Sequence, residues 1–147
     1  MIDEAETIDP RAEIAARNRR RQLEARARKF TGAVFGLMGY SAFANIVASA
    51  LAIAETPGES VFGVFLGVLY AFGAYRVWAK DDTRWWPVAV PAGLSIAALV
   101  LAAIGGFYNP IAFLLNVGLL VLVPIRRRAV AAVPNNSFKG MPLRGTP

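Results

Sequence analysis

Charged positions in this chain fall into short blocks between four long apolar runs, and that spacing predicts the elements more firmly than any local motif. Residues 30–54 carry no charge over twenty-five positions, about 37 Å of helix at ~1.5 Å per residue, against a hydrocarbon core of roughly 30 Å. Glu55-Thr56-Pro57-Gly58-Glu59-Ser60 reads as a turn. The run at 61–79 then holds a single charge, Arg76, close enough to its end to snorkel toward headgroups. Lys80-Asp81-Asp82-Thr83-Arg84 interrupts the pattern, and Trp78, Trp85 and Trp86 supply amphipathic rings for one membrane surface. A third run covers 86–107. Gly105-Gly106 and Asn109-Pro110 mark a tight turn, and a fourth run, 111–125, is only fifteen residues long before Arg126-Arg127-Arg128. That length crosses a bilayer only with little tilt, and a re-entrant hairpin with the third run is the competing arrangement.

Residues 1–29 form a polar arm with Asp3, Glu4, Glu6 and Asp9 at its start and eight basic residues after them, against Glu13 and Glu24. Asp9-Pro10 fits N-cap followed by N1, so a helix is expected from about residue 10. Its apolar positions, Ala12, Ala16, Leu23, Ala27 and Phe30, are mostly small and are interrupted by Arg19 and Arg26. So weak a stripe favours a solvated extension of the first membrane helix over a helix lying in the interface. Residues 129–147, with Pro134, Gly140, Pro142, Gly145 and Pro147, are expected to form a disordered cytoplasmic tail.

The fold expected is therefore an all-α membrane protein, with four transmembrane helices in two antiparallel hairpins and an N-terminal cytoplasmic helical arm. Counting Lys and Arg puts eight before the first span, none at 55–60, three between spans two and three, none between three and four, and five after the fourth. By the positive-inside rule both termini then lie in the cytoplasm, with a bacterial inner membrane the expected location. Ala52-Ile53-Ala54 resembles a signal-peptidase site, but a twenty-nine-residue mixed-charge arm and a twenty-five-residue apolar run do not fit a signal peptide.

Composition narrows the chemistry. Of 147 residues, 56% are hydrophobic and 18% charged, and the mean hydropathy is +0.45. The net charge of +6 would raise nucleic acid as a partner in a soluble protein, but here the charge is accounted for by topology, so no nucleic-acid partner is expected. Without Cys or His there is no disulfide, no thiolate or imidazole metal site and no nucleophile–histidine pair. Asp81 and Asp82 sit in a basic loop without a third ligand, where an exposed pair makes no metal site. No catalytic residues, cofactor or metal are expected, and the protein is read as a non-enzyme.

Uncharged polar residues inside the runs need partners in hydrocarbon. Asn45, Tyr70 and Asn116 fall at similar depths by the helical rise, and they are expected to form one hydrogen-bonded cluster, with Ser41 and Ser49 on the Asn45 face. Gly32-x-x-x-Gly36 and Gly63-x-x-x-Gly67 are candidate close-packing seams, either within the bundle or between chains. No acidic residue lies inside any run. The small multidrug exporters have four helices in about this length, but they depend on a glutamate in the first membrane helix, which residues 30–54 lack.

Tyr75-Arg76-Val77-Trp78, Trp85-Trp86-Pro87 and Asn116 ahead of the run ending Pro124-Ile125-Arg126 resemble many small uncharacterised bacterial four-span proteins, a resemblance that implies no activity. The tail, Asn135-Asn136-Ser137-Phe138-Lys139 and then Pro142-Leu143-Arg144-Gly145, resembles the translated recombination site at the ends of integron gene cassettes, with Gly140-Met141 departing from the usual pattern. That resemblance implies a bacterial, mobile gene whose last fourteen or so residues need no role of their own.

The function expected is an interaction or accessory protein of the membrane. Its basic face, Arg19, Arg20 and Arg21 on the arm with Arg126, Arg127 and Arg128 after the fourth span, meets anionic lipid headgroups or an acidic membrane-protein partner. A small oligomeric pore or permeability factor, a homo-oligomer lined by Asn and Ser, is the alternative.

Overall fold

The computed structural model describes residues 10–134. They form four helices, α1 Pro10–Ala52, α2 Pro57–Ala79, α3 Trp86–Ile104 and α4 Pro110–Ala131, with no strand among the described residues. The acidic start of the arm and the cassette-like tail lie outside the described residues.

Local chemistry sets the boundaries. Each of α2, α3 and α4 carries a proline in its first turn, where the missing N–H is one the helix does not use. Asn109 caps α4 by accepting from the Ala112 amide at 3.0 Å. α3 stops at Ile104, three residues before the end of the apolar run, because Gly105 and then Gly106 at φ +89° turn the chain. After α2 the reversal is made at Asp81, a non-glycine residue at φ +46°, and the Asp82 amide returns to the Arg76 carbonyl at 3.0 Å.

α1 packs against α2 and α4, and α3 closes the ring against the same two helices. Gly63 meets Ser49, Gly67 meets Ala42 and Ile46, and Gly73 meets Met38, a register that runs antiparallel along α1 and α2. The glycine seam of α2 is thus filled within the bundle, whereas Gly32 and Gly36 of α1 have open space where a Cβ would stand. Gly73 also faces the Pro87 carbonyl of α3, so closely that a Cβ would collide with it. Pro91, four residues further on, has no N–H to offer that carbonyl, and glycine lets α2 approach the freed group.

The core is small: Val34, Met38, Ala42, Tyr70, Ala74, Val77, Val88, Ala92 and Leu119. Only 22–39% of the most apolar stretch of each helix is buried. Phe43, Leu51, Leu101, Ile104 and Ile111 all point outward. Large apolar side chains are exposed on all four helices, and all four are long and apolar enough to cross a membrane.

The arm continues the first apolar helix as expected, whereas the end of α4 differs from the sequence reading. α1 is one unbroken helix of 43 residues in which arm and first span are continuous. α4 has 22 residues and passes through all three arginines to Ala131. Arginine is a good helix former, so the triplet ends the apolar run without ending the helix. At about 33 Å, α4 is long and apolar enough to cross a membrane. Residues 129–133 are therefore not tail: Ala129 and Val133 are buried against Ala27 of α1, with Leu23, Phe30 and Val130 around them.

Candidate functional site

Two polar layers cross the bundle. The first lies in its middle, where the Tyr70 hydroxyl donates to the Asn116 side-chain oxygen. Ser95 Oγ is 2.9 Å from the same hydroxyl. A phenol has one proton, and the amide oxygen can only accept, so the Ser95 hydroxyl donates to Tyr70. Asn116 Nδ2 donates to the Ala112 carbonyl one turn back at 2.8 Å. Tyr70, Ser95 and Asn116 come from α2, α3 and α4 and are all buried, so the layer ties three helices together.

Asn45 is not bonded to this group. Its Nδ2 donates to the Ser41 carbonyl at 2.8 Å. Across the α1–α4 contact, Ala27 packs with Ala129 and Arg126 reaches Thr31. That antiparallel register sets Ser41, not Asn45, level with Asn116, and Asn45 one turn nearer the α1–α2 connection. The helical rise gave depth correctly to within a turn, and one turn, about 5 Å, is beyond direct hydrogen bonding. Ser95 takes the place expected for Asn45. As the only hydroxyl within α3, it carried a signal that sequence reasoning passed over.

Asn45 and Asn116 instead line a crevice between α1 and α4, half open, with a volume of about 300 Å³. Tyr40 and Ile111 are exposed at its mouth, and Ser41 and Asn116 are buried at its depth. Val34, Met38 and Leu119, nearer the end of the bundle that carries the arginines, are fully buried.

The second layer closes that basic end. Arg126 is 4% exposed, which overturns its assignment as a headgroup contact. Its Nη1 donates to the Asp82 carbonyl at 2.7 Å, Nη2 to the Val77 carbonyl at 3.3 Å and Nε to Thr31 Oγ1 at 3.2 Å. Val77 is among the last residues of α2, whose carbonyls have no helical partner, so the guanidinium caps α2 from α4 while holding α1. Arg127 and Arg128, the neighbours of Arg126, are exposed. In a helix one step turns a side chain by about 100°, so the triplet divides between one inward and two outward positions.

Asp82 is also buried, contrary to the exposed pair read from the sequence. Its Oδ2 accepts from Arg76 Nε at 2.9 Å and from Arg76 Nη2, and its Oδ1 accepts from the Arg84 amide at 2.9 Å. The Arg76 guanidinium lies over the Trp86 ring at 5.7 Å, so it is fixed from two sides. Burial alone would raise the Asp82 carboxyl, but the Arg84 amide, the Arg76 hydrogen bonds and the charges of Arg76 and Arg84 outweigh it and hold the group below the ordinary value of 3.8. A depressed carboxylate contributes stability that is complete above its unfolded pKa and fades as pH falls through the folded one. The Asp82 contribution is thus expected to be full at neutral pH and to fade progressively once pH falls below about 3.8. In an acid titration of reconstituted protein followed by tryptophan fluorescence, Asp82→Asn should flatten this acid limb. An unchanged limb would leave the ion pair without a role in stability.

The arm residues Arg19, Arg20 and Arg21 are exposed. Two pairs one turn apart run along the arm, Glu13 with Arg17 and Glu24 with Arg20. Among the described residues no group of three or more His, Cys, Asp or Glu comes together that could hold a metal ion. The chain matches no family model, no curated protein and no solved structure.

Proposed function

We propose that this chain is a multi-pass protein of a bacterial inner membrane, with both termini in the cytoplasm, and that it works without catalysis as an accessory protein presenting a basic helical arm to an acidic protein partner. The observation that carries this reading is the continuity of α1 from Pro10 to Ala52, braced where Ala27 packs on Ala129 and Val133. Residues 11–22 then extend about 18 Å beyond that brace, by the helical rise. By the same rise Arg19, Arg20 and Arg21 stand about 3–6 Å and Arg17 about 9 Å beyond Leu23 of that brace, within or near the roughly 8 Å over which charge acts at physiological salt, so they are in reach of headgroups as well as of a protein. An acidic protein surface is the complement proposed, because Arg19, Arg20 and Arg21 are exposed at successive positions that turn about 100° each around the helix. Arg127 and Arg128, at the edge of the apolar belt, suit anionic headgroups. Sixteen basic residues, all on one face by the loop count, support the orientation.

The alternative, a small pore, requires a conduit between chains, because the crevice of one chain is lined from α1 and α4 alone and the bundle has a core of fully buried side chains that includes Val34, Met38 and Leu119. Native mass spectrometry of the protein released from its own membranes in mild detergent separates the two. A stoichiometric acidic protein, lost when Arg19, Arg20 and Arg21 are replaced together by Gln, is the expected result. A defined homo-oligomer with no foreign chain, unchanged by those replacements, would remove the accessory reading in favour of the pore.

A further inference from the structure

The α1–α4 crevice has no part in the arm reading. Its lining includes the small side chains of Ala44 on α1 and Ala112 on α4, while at the basic end the same two helices are held together by the Arg126–Thr31 bond and the Ala27–Ala129 contact. Its lining combines uncharged hydrogen-bonding groups in the depth, from Ser41, Asn45 and Asn116, with apolar surface from Ile111 and Leu115. We propose that this crevice binds one small neutral amphiphile, a molecule with a hydroxyl or amide group on a compact apolar body.

Three observations select that class. No charged side chain lines the crevice, so an ion would enter without a counter-charge to offset its desolvation. The Asn45 amide is half buried and uses one N–H on Ser41, and its side-chain oxygen accepts no hydrogen bond from any described residue. Asn116 uses one N–H on Ala112 and its oxygen on Tyr70, which leaves one N–H over. The open Asn45 oxygen and one open N–H on each asparagine match a group that both donates and accepts, as a hydroxyl or a primary amide does. The volume of about 300 Å³ is at the small end of ligand pockets and equals roughly ten water molecules at ~30 Å³ each. A body of six to ten carbon atoms with one polar group is of that order.

The chain has no cysteine, so a single thiol placed at Ala44→Cys reports on this space alone. The probe is benzyl alcohol, read as slowing of N-ethylmaleimide modification of the full chain in phosphatidylcholine nanodiscs. Toluene provides the same ring without the hydroxyl, and Val61→Cys, on the exposed face of α2, controls for effects on the bilayer. Benzyl alcohol is expected to protect Ala44→Cys, with toluene much weaker and Val61→Cys unprotected. Adding Asn45→Leu should weaken the apparent affinity for benzyl alcohol about fivefold, the value of one hydrogen bond. Leu115→Trp, which fills the crevice and leaves Asn45 intact, should abolish protection and keeps the test independent of how the Asn45 variant folds. Protection by toluene equal to that by benzyl alcohol, equal protection at Val61→Cys, or no protection would each overturn the proposal. So would an Ala44→Cys thiol that does not react at all, because a lipid chain would then occupy the crevice.

Discussion

Arg126→Leu is expected to destabilise the folded bundle by about 2–4 kcal/mol, while Arg127→Leu and Arg128→Leu stay within about 0.5 kcal/mol of the parent. The leucine removes one charged donor set and leaves three acceptors behind: the Val77 and Asp82 carbonyls and the Thr31 hydroxyl. A hydrogen bond to a charged donor contributes roughly 1.5–3 kcal/mol, and a buried acceptor left without a donor costs about 1–3 kcal/mol. Relief from burying the guanidinium offsets part of that sum, so the net is well short of adding all three bonds. Arg126→Lys is expected to fall between, because an ammonium lacks the planar fork that reaches three acceptors on two sides of the bundle. Reversible unfolding by steric trapping in bicelles measures all four variants on one scale. Equal, small losses at the three arginines would mean that the clamp at the basic end is not holding α1, α2 and α4 together.

Tyr70→Phe should cost about 1–3 kcal/mol on the same scale. Phenylalanine fills the same space but leaves the Asn116 oxygen without a donor and Ser95 without an acceptor, both buried beneath the surface of the bundle. The sharper expectation concerns coupling. In a double-mutant cycle, Tyr70→Phe with Asn116→Leu should be non-additive by about 1 kcal/mol, whereas Asn45→Leu with Asn116→Leu should be additive within about 0.5 kcal/mol. The two asparagines each bond the carbonyl one turn back on their own helix, across a crevice from each other. Additivity in the first pair, or coupling in the second, would contradict the hydrogen bonds that define the middle layer.

The four helices were legible because each answers to a one-dimensional property, an apolar run bounded by charge, proline or glycine. Pro57, Pro110 and Gly105-Gly106 lie at the boundaries where such residues are expected. The polar cluster was half legible. Depth along a helix follows from residue count, so Tyr70 and Asn116 were placed together correctly, but rotation and register between helices do not follow from count, and Asn45 ended a turn away. The arginine triplet misled for the same reason. Three identical charges at the end of a run look alike in one dimension, yet one of them faces inward.

By itself, then, the order of residues determined that this protein is helical, how many helices it has, where three of the four turn, and that its charge gathers at one end. These are outcomes of hydrophobic burial and backbone satisfaction, which act on each segment separately. Tertiary structure alone decided which polar groups meet, Ser95 with Tyr70, Arg126 with Val77 and Asp82, Asp82 with Arg76, and where the crevice lined by Ala44 and Ala112 lies. Hydrogen bonds are short and directional, so a rotation of 100° or a shift of one turn makes or breaks them, and both are set by how whole helices pack.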